Sequence, residues 1–170
     1  MQPLRINVDI VMERVPLTNR WASEYWRPFA VVAAPPERPR GVNAPPVVDG
    51  SGTRWCYAGH EVELHPTEAE GYFLNLTSPA PSVFVMWRLD DAATPPAQPV
   101  LATVSYNHAG RLMDGGERVD RVAMPAEILD RMRPFVAEHY KPEPKRKVKR
   151  NDPFAEGAFV RGRRDKPRDP

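Results

Sequence analysis

Val83 to Leu89 is the segment that most limits how this chain can fold. Val83, Val85 and Trp87 share one face of an extended chain, and Phe84 and Met86 share the other. Successive side chains of a strand point to opposite faces, so a strand apolar on both must be covered on both. It belongs in the middle of a structure. Pro79 and Pro81 mark a turn before it, and Pro95, Pro96 and Pro99 mark a loop after it. The wider stretch from His60 to Asp91 holds the densest run of strand-forming residues and is the expected structural centre.

Proline divides the rest. The chain has 170 residues and 21 prolines, clustered at 35–46, 79–81, 95–99 and beyond Lys141. Outside those clusters roughly 110–120 residues remain, enough for one modest core. Ile6, Val8, Ile10 and Met12 alternate with Asn7, Asp9 and Glu13, which predicts a half-buried strand over 5–13. A second strand is predicted over 20–33. Pro28 lies inside it and cannot donate to a ladder, so this strand is at an edge or bulged. Residues 34–52 read as an irregular loop. Residues 53–65 read as two strand pieces meeting in a hairpin turn near Ala58-Gly59. A single helical turn is expected at 67–70 from its Thr–Glu spacing, then a strand over 72–77. A further strand is expected over 100–106.

Ser105 or Asn107 is placed to cap a short helix through Met113, with Gly115-Gly116 as its stop. Residues 117–123 form a connector or strand. Met124-Pro125 opens the clearest helix, with Ile128, Leu129, Met132, Phe135, Val136 and His139 at helical spacing. Pro134 inside it should kink or split it. The predicted fold is α+β and mainly β: a small antiparallel curled sheet, or partly open barrel, of about seven strands closed by a C-terminal helix. The single globular domain is expected over 1–140, followed by a basic, proline-rich tail over 141–170.

That tail carries eleven Lys/Arg against five Asp/Glu, whereas residues 1–140 carry thirteen against seventeen. An acidic body thus bears a basic tail, which either stays solvated or meets an acidic partner. Lys145, Arg146, Lys147, Lys149 and Arg150 form a compact basic run, followed by Pro153, Phe154 and Phe159. Aromatic residues beside basic ones suit a short motif that orders on a protein partner. Nucleic acid is the competing partner, because bases stack on aromatics and phosphates attract lysine and arginine. The acidic body weighs against it. Trp21 and Trp26 are the candidate contact residues on the body, with core packing as their ordinary alternative.

Catalytic and metal chemistry finds little support. Cys56 is the only cysteine, which excludes an intrachain disulfide, and its neighbours suit a buried thiol. The histidines His60, His65, His108 and His139 lack zinc-ligand spacing. His60 and His65, five apart, are expected on opposite faces of a strand. Glu61, Glu63, Glu68 and Glu70 read as solvated residues of a strand and a capped turn. Gly115-Gly116 lacks the lysine of a phosphate loop. No catalytic residue, cofactor or metal site is expected. The N-terminus alternates in polarity and lacks the apolar run of a signal peptide, no run is long enough to span a membrane, and a cytoplasmic location is expected.

Several motifs together resemble a known family. They are Arg20-Trp21 with Trp26-x-Pro28, Leu64-His65-x-x-Glu68-Ala69-Glu70-Gly71-Tyr72 and Pro81 to Arg88. Val104 to Asn107, Asp114 to Glu117, Met124-Pro125 and His139-Tyr140 complete the pattern. Over roughly residues 8–154 the chain is similar to an uncharacterised proteobacterial domain-of-unknown-function family whose genes often neighbour formate dehydrogenase genes. The resemblance implies a non-enzymatic accessory, assembly or small-subunit protein. Its partner would be a subunit of a molybdenum-containing formate dehydrogenase or an assembly factor for one. Two alternatives stand beside it: a small-molecule binder or enzyme with a pocket in the curled sheet, lined by His65, Glu68 or Arg88, and nucleic-acid binding through the tail.

Overall fold

The structure is a computed structural model that describes residues 2–142 except Glu37 and Asn43. The tail beyond Pro142, with its candidate residues Lys145, Arg146, Lys147, Lys149, Arg150, Pro153, Phe154 and Phe159, lies outside the described residues. Among the described residues, eight strands form two antiparallel sheets, with three α-helices around them. The strands are β1 (Leu4–Pro16), β2 (Glu24–Ala33), β3 (Gly41–Val42), β4 (Val47–Asp49), β5 (Gly52–Leu64), β6 (Ser82–Leu89), β7 (Ala97–Thr103) and β8 (Val119–Ala123). The helices are α1 (Ala69–Leu76), preceded by a 3-10 turn at Pro66–Glu68, then α2 (Tyr106–Asp114) and α3 (Ala126–His139).

The first sheet runs β2-β1-β5-β3, with β4 also on β5; the second runs β7-β6-β8. The expected class is therefore correct, with the strands divided between two sheets that stay unclosed. β2 lies beside β8 and β5 beside β7. The inner faces enclose a filled core that includes Ile6, Val8, Ile10 and Met12 from β1 and Val83, Val85 and Trp87 from β6. β6 is central in its sheet and buried on both faces from Ser82 to Trp87, as its composition requires. Helix α3 closes one side through Ile128, Met132, Phe135 and Val136. It continues through Pro134 as one element, so the expected split does not occur.

β2 is both an edge strand and bulged: Val11 pairs with Ala30 but Met12 pairs with Pro28, leaving Phe29 as the extra residue. Three expectations need correction. The turn at Ala58-Gly59 is instead a bulge within one continuous strand. Val8 pairs with His60 and Ile10 with Tyr57, so two residues oppose Asp9 alone. Gly59 takes φ 77°, a left-handed value that glycine adopts without a Cβ clash. The strand expected over 72–77 is the body of α1. Tyr and Phe favour strands, but Ala69, Tyr72 and Leu76 repeat at helical spacing and turn toward α3 and the core. The loop over 34–52 contributes β3 and β4, two short strands held by β5.

Candidate functional site

Two features of the body stand out: a polar cleft at the rim between the sheets, and the outer face of the larger sheet.

The cleft exists because of the Gly59 bulge. The bulge shifts the alternation of β5 by one residue, so that His60, opposite Val8, turns inward between the sheets. A Cβ on Gly59 would lie 2.7 Å from Arg40 Cα and 2.8 Å from the Arg38 carbonyl oxygen. Glycine at this position therefore also lets the 38–40 segment pack down, which seats Arg40 over His60. Arg40 Nη2 lies 3.3 Å from His60 Nδ1 and donates to the Val100 carbonyl at 3.1 Å, bridging β5 and β7. Because a guanidinium can only donate, Nδ1 must be the acceptor, and the His60 proton sits on Nε2. His60 is 4 % exposed. Burial, with the Arg40 charge added, pushes its pKa down to about 4, so the ring is neutral at pH 7.

The cleft has a volume of about 380 Å³ and is lined by residues that include Arg40, His60, Glu63, His65, Glu68 and His108. His65 and His60 line it together although they are five apart, because His65 lies beyond the end of β5. Its Nε2 is 3.0 Å from Glu63, and its backbone N–H donates to Tyr72 Oη at 2.9 Å. Ser105 caps α2 by accepting from the His108 N–H at 3.0 Å and donates to Glu68 at 2.7 Å; Arg111 holds the other Glu68 oxygen. Burial opposes the charge on Glu68, but the bonds from Ser105 and Arg111 win and lower its pKa. His108 is lowered, chiefly by burial and then by Arg111. Glu68 thus stays ionised and tied on both oxygens, while Ser105 spends its hydroxyl on a carboxylate. This arrangement positions helices rather than activating a nucleophile. Arg88 is elsewhere, paired with Glu117. No described group of His, Cys, Asp or Glu is arranged to hold a metal ion.

The outer face of the larger sheet is built differently. Glu13 lies on the face of β1 opposite its apolar stripe and yet is fully buried. Arg27 from β2 donates to it at 2.7–2.8 Å and Arg54 from β5 at 3.0 Å. The Arg54 guanidinium lies 3.8 Å over the Phe29 ring, and Arg27 lies 5.7 Å over Tyr25. The Phe29 bulge and the two arginines thus roof the carboxylate. Tyr25, Phe29, Val32 and Val47 remain exposed across this face, and Trp21, 83 % exposed, precedes it with Arg20 at 4.7 Å over its ring. Trp26 is placed differently: it is partly buried against the core and packs on Trp55 at 5.0 Å between centroids. Cys56 is half-buried beside Asp9, 3.9 Å away. Burial and that carboxylate raise its pKa, which leaves an unreactive thiol. Sequence reasoning missed Tyr25, Phe29, Arg27 and Arg54 as a group. The legible signal was Arg and aromatic residues alternating on a predicted edge strand.

No helix among the described residues is long and apolar enough to cross a membrane. No curated protein and no solved structure matches the chain. A family model does match, over residues 7–149, which takes in all the described strands and helices except the first three residues of β1. The chain belongs to that family, described as a protein of unknown function, DUF3305.

Proposed function

We propose that this protein acts without catalysis of its own, as a docking subunit or assembly factor, and that the outer face of its larger sheet is the docking surface. One observation carries the reading: Tyr25 and Phe29 stand exposed on the edge strand β2 against an arginine pair, Arg27 of β2 and Arg54 of β5, that Glu13 holds in place, and Trp21 is exposed just before that strand. Interface hot spots are rich in Trp, Tyr and Arg. Here the arginines are held by a buried carboxylate, so little side-chain freedom is lost on contact. The polar groups of the cleft satisfy one another, which gives an enzyme reading less support. The partner we propose, from the resemblance of the motifs, is a component of a molybdenum-containing formate dehydrogenase or of its assembly machinery, met in the cytoplasm.

The test is quantitative co-purification of the dehydrogenase catalytic subunit with the full chain and with Trp21→Ala/Tyr25→Ala. Losing two hot-spot aromatics of about 2 kcal/mol each weakens binding by well over tenfold. Both side chains are exposed, so the thermal midpoint should stay within a few degrees of the native value. Failure to recover any dehydrogenase component with the native chain would remove the proposed partner. Equal recovery with both chains would remove the proposed surface.

A further inference from the structure

At the Glu68 end of the cleft the polar groups are spent on one another. Ser105 and Arg111 hold both Glu68 oxygens, and the Tyr72 hydroxyl accepts from the His65 N–H and donates to the Glu63 carbonyl. Toward Gly59 two features are left over, and they are opposite in character. The first is a pair of donors. His60 Nδ1 accepts from Arg40, which leaves the ring proton on Nε2. Among the described residues, Asp9 Oδ1 is the one buried side-chain polar atom without a partner. The His60 Nε2–H, which no described acceptor meets, is therefore not sealed in the interior and opens on the cleft that its ring lines. Arg40 is exposed, and its described acceptors are the His60 ring and the Val100 carbonyl, with no carboxylate among them. Only the imidazole ring separates these donors, so a carboxylate accepting from His60 also sits in the field of the Arg40 charge.

The second feature is an excess of negative charge along the rim. Glu61 and Glu63 line the same cleft and share the single guanidinium of Arg5, at 3.8 and 3.1 Å. Two carboxylates against one arginine leave one negative charge over, and the Glu68–Arg111 pair adds nothing net. The cleft thus has a cation without a carboxylate at one end and a carboxylate charge in excess farther along. Three residues of strand, about 10 Å, separate His60 from Glu63. Hydrogen bonds of about 3 Å at each end leave about 4 Å for the separation of charges within a ligand. Leu101 and Ala102 of β7 line the gap between, so the atoms joining those charges would meet apolar side chains.

We propose that the cleft binds a small amino-acid zwitterion, with its carboxylate on the His60 Nε2–H beside Arg40 and its ammonium on Glu61 and Glu63. A simple amine would leave the donors unmet, and a simple carboxylate would face two glutamates. The zwitterion alone answers both ends without bringing net charge into the gap. The site is on β5, which β1 separates from β2, so the inference stands whether or not the face around Tyr25 and Phe29 docks a partner.

Titration of the full chain at neutral pH, followed by NMR of the His60 imidazole, tests this with glycine, β-alanine and γ-aminobutyrate as probes. At least one should shift the His60 resonances saturably at millimolar concentration. The N-acetyl and amide forms of the best probe, each lacking one charge, should bind at least about tenfold more weakly, the loss of one charge-assisted bond. Arg40→Gln should erase the preference for the zwitterion over its amide, and Glu61→Gln/Glu63→Gln the preference over its N-acetyl form. No saturable shift with any of the three probes overturns the proposal. Equal binding of the zwitterion and either capped form to the native chain also overturns it, and that comparison needs no variant to fold.

Discussion

Replacing Gly71 by alanine sets two opposed effects against each other. Gly71 sits inside α1, where alanine would ordinarily stabilise by about 0.5–1 kcal/mol through helix propensity. At this position, however, the new Cβ would lie 2.2 Å from Ser105 Oγ, 3.2 Å from Ser105 Cβ and 3.3 Å from the Asn107 nitrogen. Ser105 is fully buried and cannot yield freely. Its hydroxyl caps α2 and also bonds Glu68. Displacing it forfeits a cap of about 1 kcal/mol and a charge-assisted bond of about 1.5–3 kcal/mol. Overpacking adds about 1–3 kcal/mol. After partial relaxation and the propensity gain, the net destabilisation should be about 3–5 kcal/mol. With a urea slope near 2 kcal/mol per molar, the unfolding midpoint should fall by about 2 M.

A double-mutant cycle separates this steric cause from a general effect on the helix. Ser105→Gly keeps a tolerable cap but loses the Glu68 bond, and should cost about 2–3 kcal/mol on its own. In that background Gly71→Ala should cost less than about 1 kcal/mol, a coupling of about 2–4 kcal/mol. Urea unfolding of the four proteins, followed by tryptophan fluorescence, reads out the cycle. A Gly71→Ala protein at least as stable as the native one, or an equal cost in both backgrounds, would refute the close approach of α1 to Ser105.

Three further outcomes are expected. Glu13→Gln leaves Arg27 and Arg54 around a neutral buried amide; since both guanidiniums are partly exposed, we expect a loss of about 2–4 kcal/mol in urea unfolding. Asn75→Ala strips hydrogen bonds from the Ser82 N–H and from the Ser82 and Val104 carbonyls, all at a buried site, and should cost about 3–5 kcal/mol in the same assay. The third concerns pH: the pKa of His60 is lower folded than unfolded, so the unfolded chain binds more protons and stability falls as pH drops below about 6.5 toward 4. Allowing for a ring that borders the cleft, the His60 share of the loss between pH 7 and 5 is on the order of 1–2 kcal/mol, and His60→Gln should flatten that part of the stability curve.

What could be read from the sequence was whatever a local period determines. The alternation of Ile6 to Met12 and the two-faced run at Val83–Trp87 gave β1 and β6 their places, because a half-buried strand and a central strand differ in composition. The Ser105 cap and the stripe of α3 were likewise local. Tyr72 to Thr77 was misread because its Tyr and Phe suit a strand, while the contact that decides for helix is tertiary: Phe135 of α3 meets Tyr72 edge-on at 6.0 Å. The burial of Glu13 was hidden for a similar reason. Its partners are fourteen and forty-one residues away, and a carboxylate on the outer face of a strand reads as solvated until both arginines arrive.

The cleft escaped notice for a more specific reason, and Gly59 is the cause. In a regular β5, the inward positions after Tyr57 would be 59, 61 and 63, which would turn Glu61 and Glu63 inward opposite Ile6 and Leu4. Two unpaired carboxylates cannot be buried there without a heavy desolvation cost. One extra residue in the strand reverses the parity, giving Val62 and Leu64 to the core and leaving Glu61 and Glu63 at the rim beside Arg5. The same shift leaves one polar residue, His60, facing inward, and Arg40 is the group that meets it. A turn and a bulge share the same glycine signal in sequence, but only the bulge keeps β5 continuous with β1 on both sides of it. Gly59→Ala should therefore disturb the fold and the cleft together: the left-handed φ and the contacts with Arg38 and Arg40 both oppose a Cβ there. The acidic edge, the buried histidine and the gap between the sheets are thus one consequence of a single inserted residue.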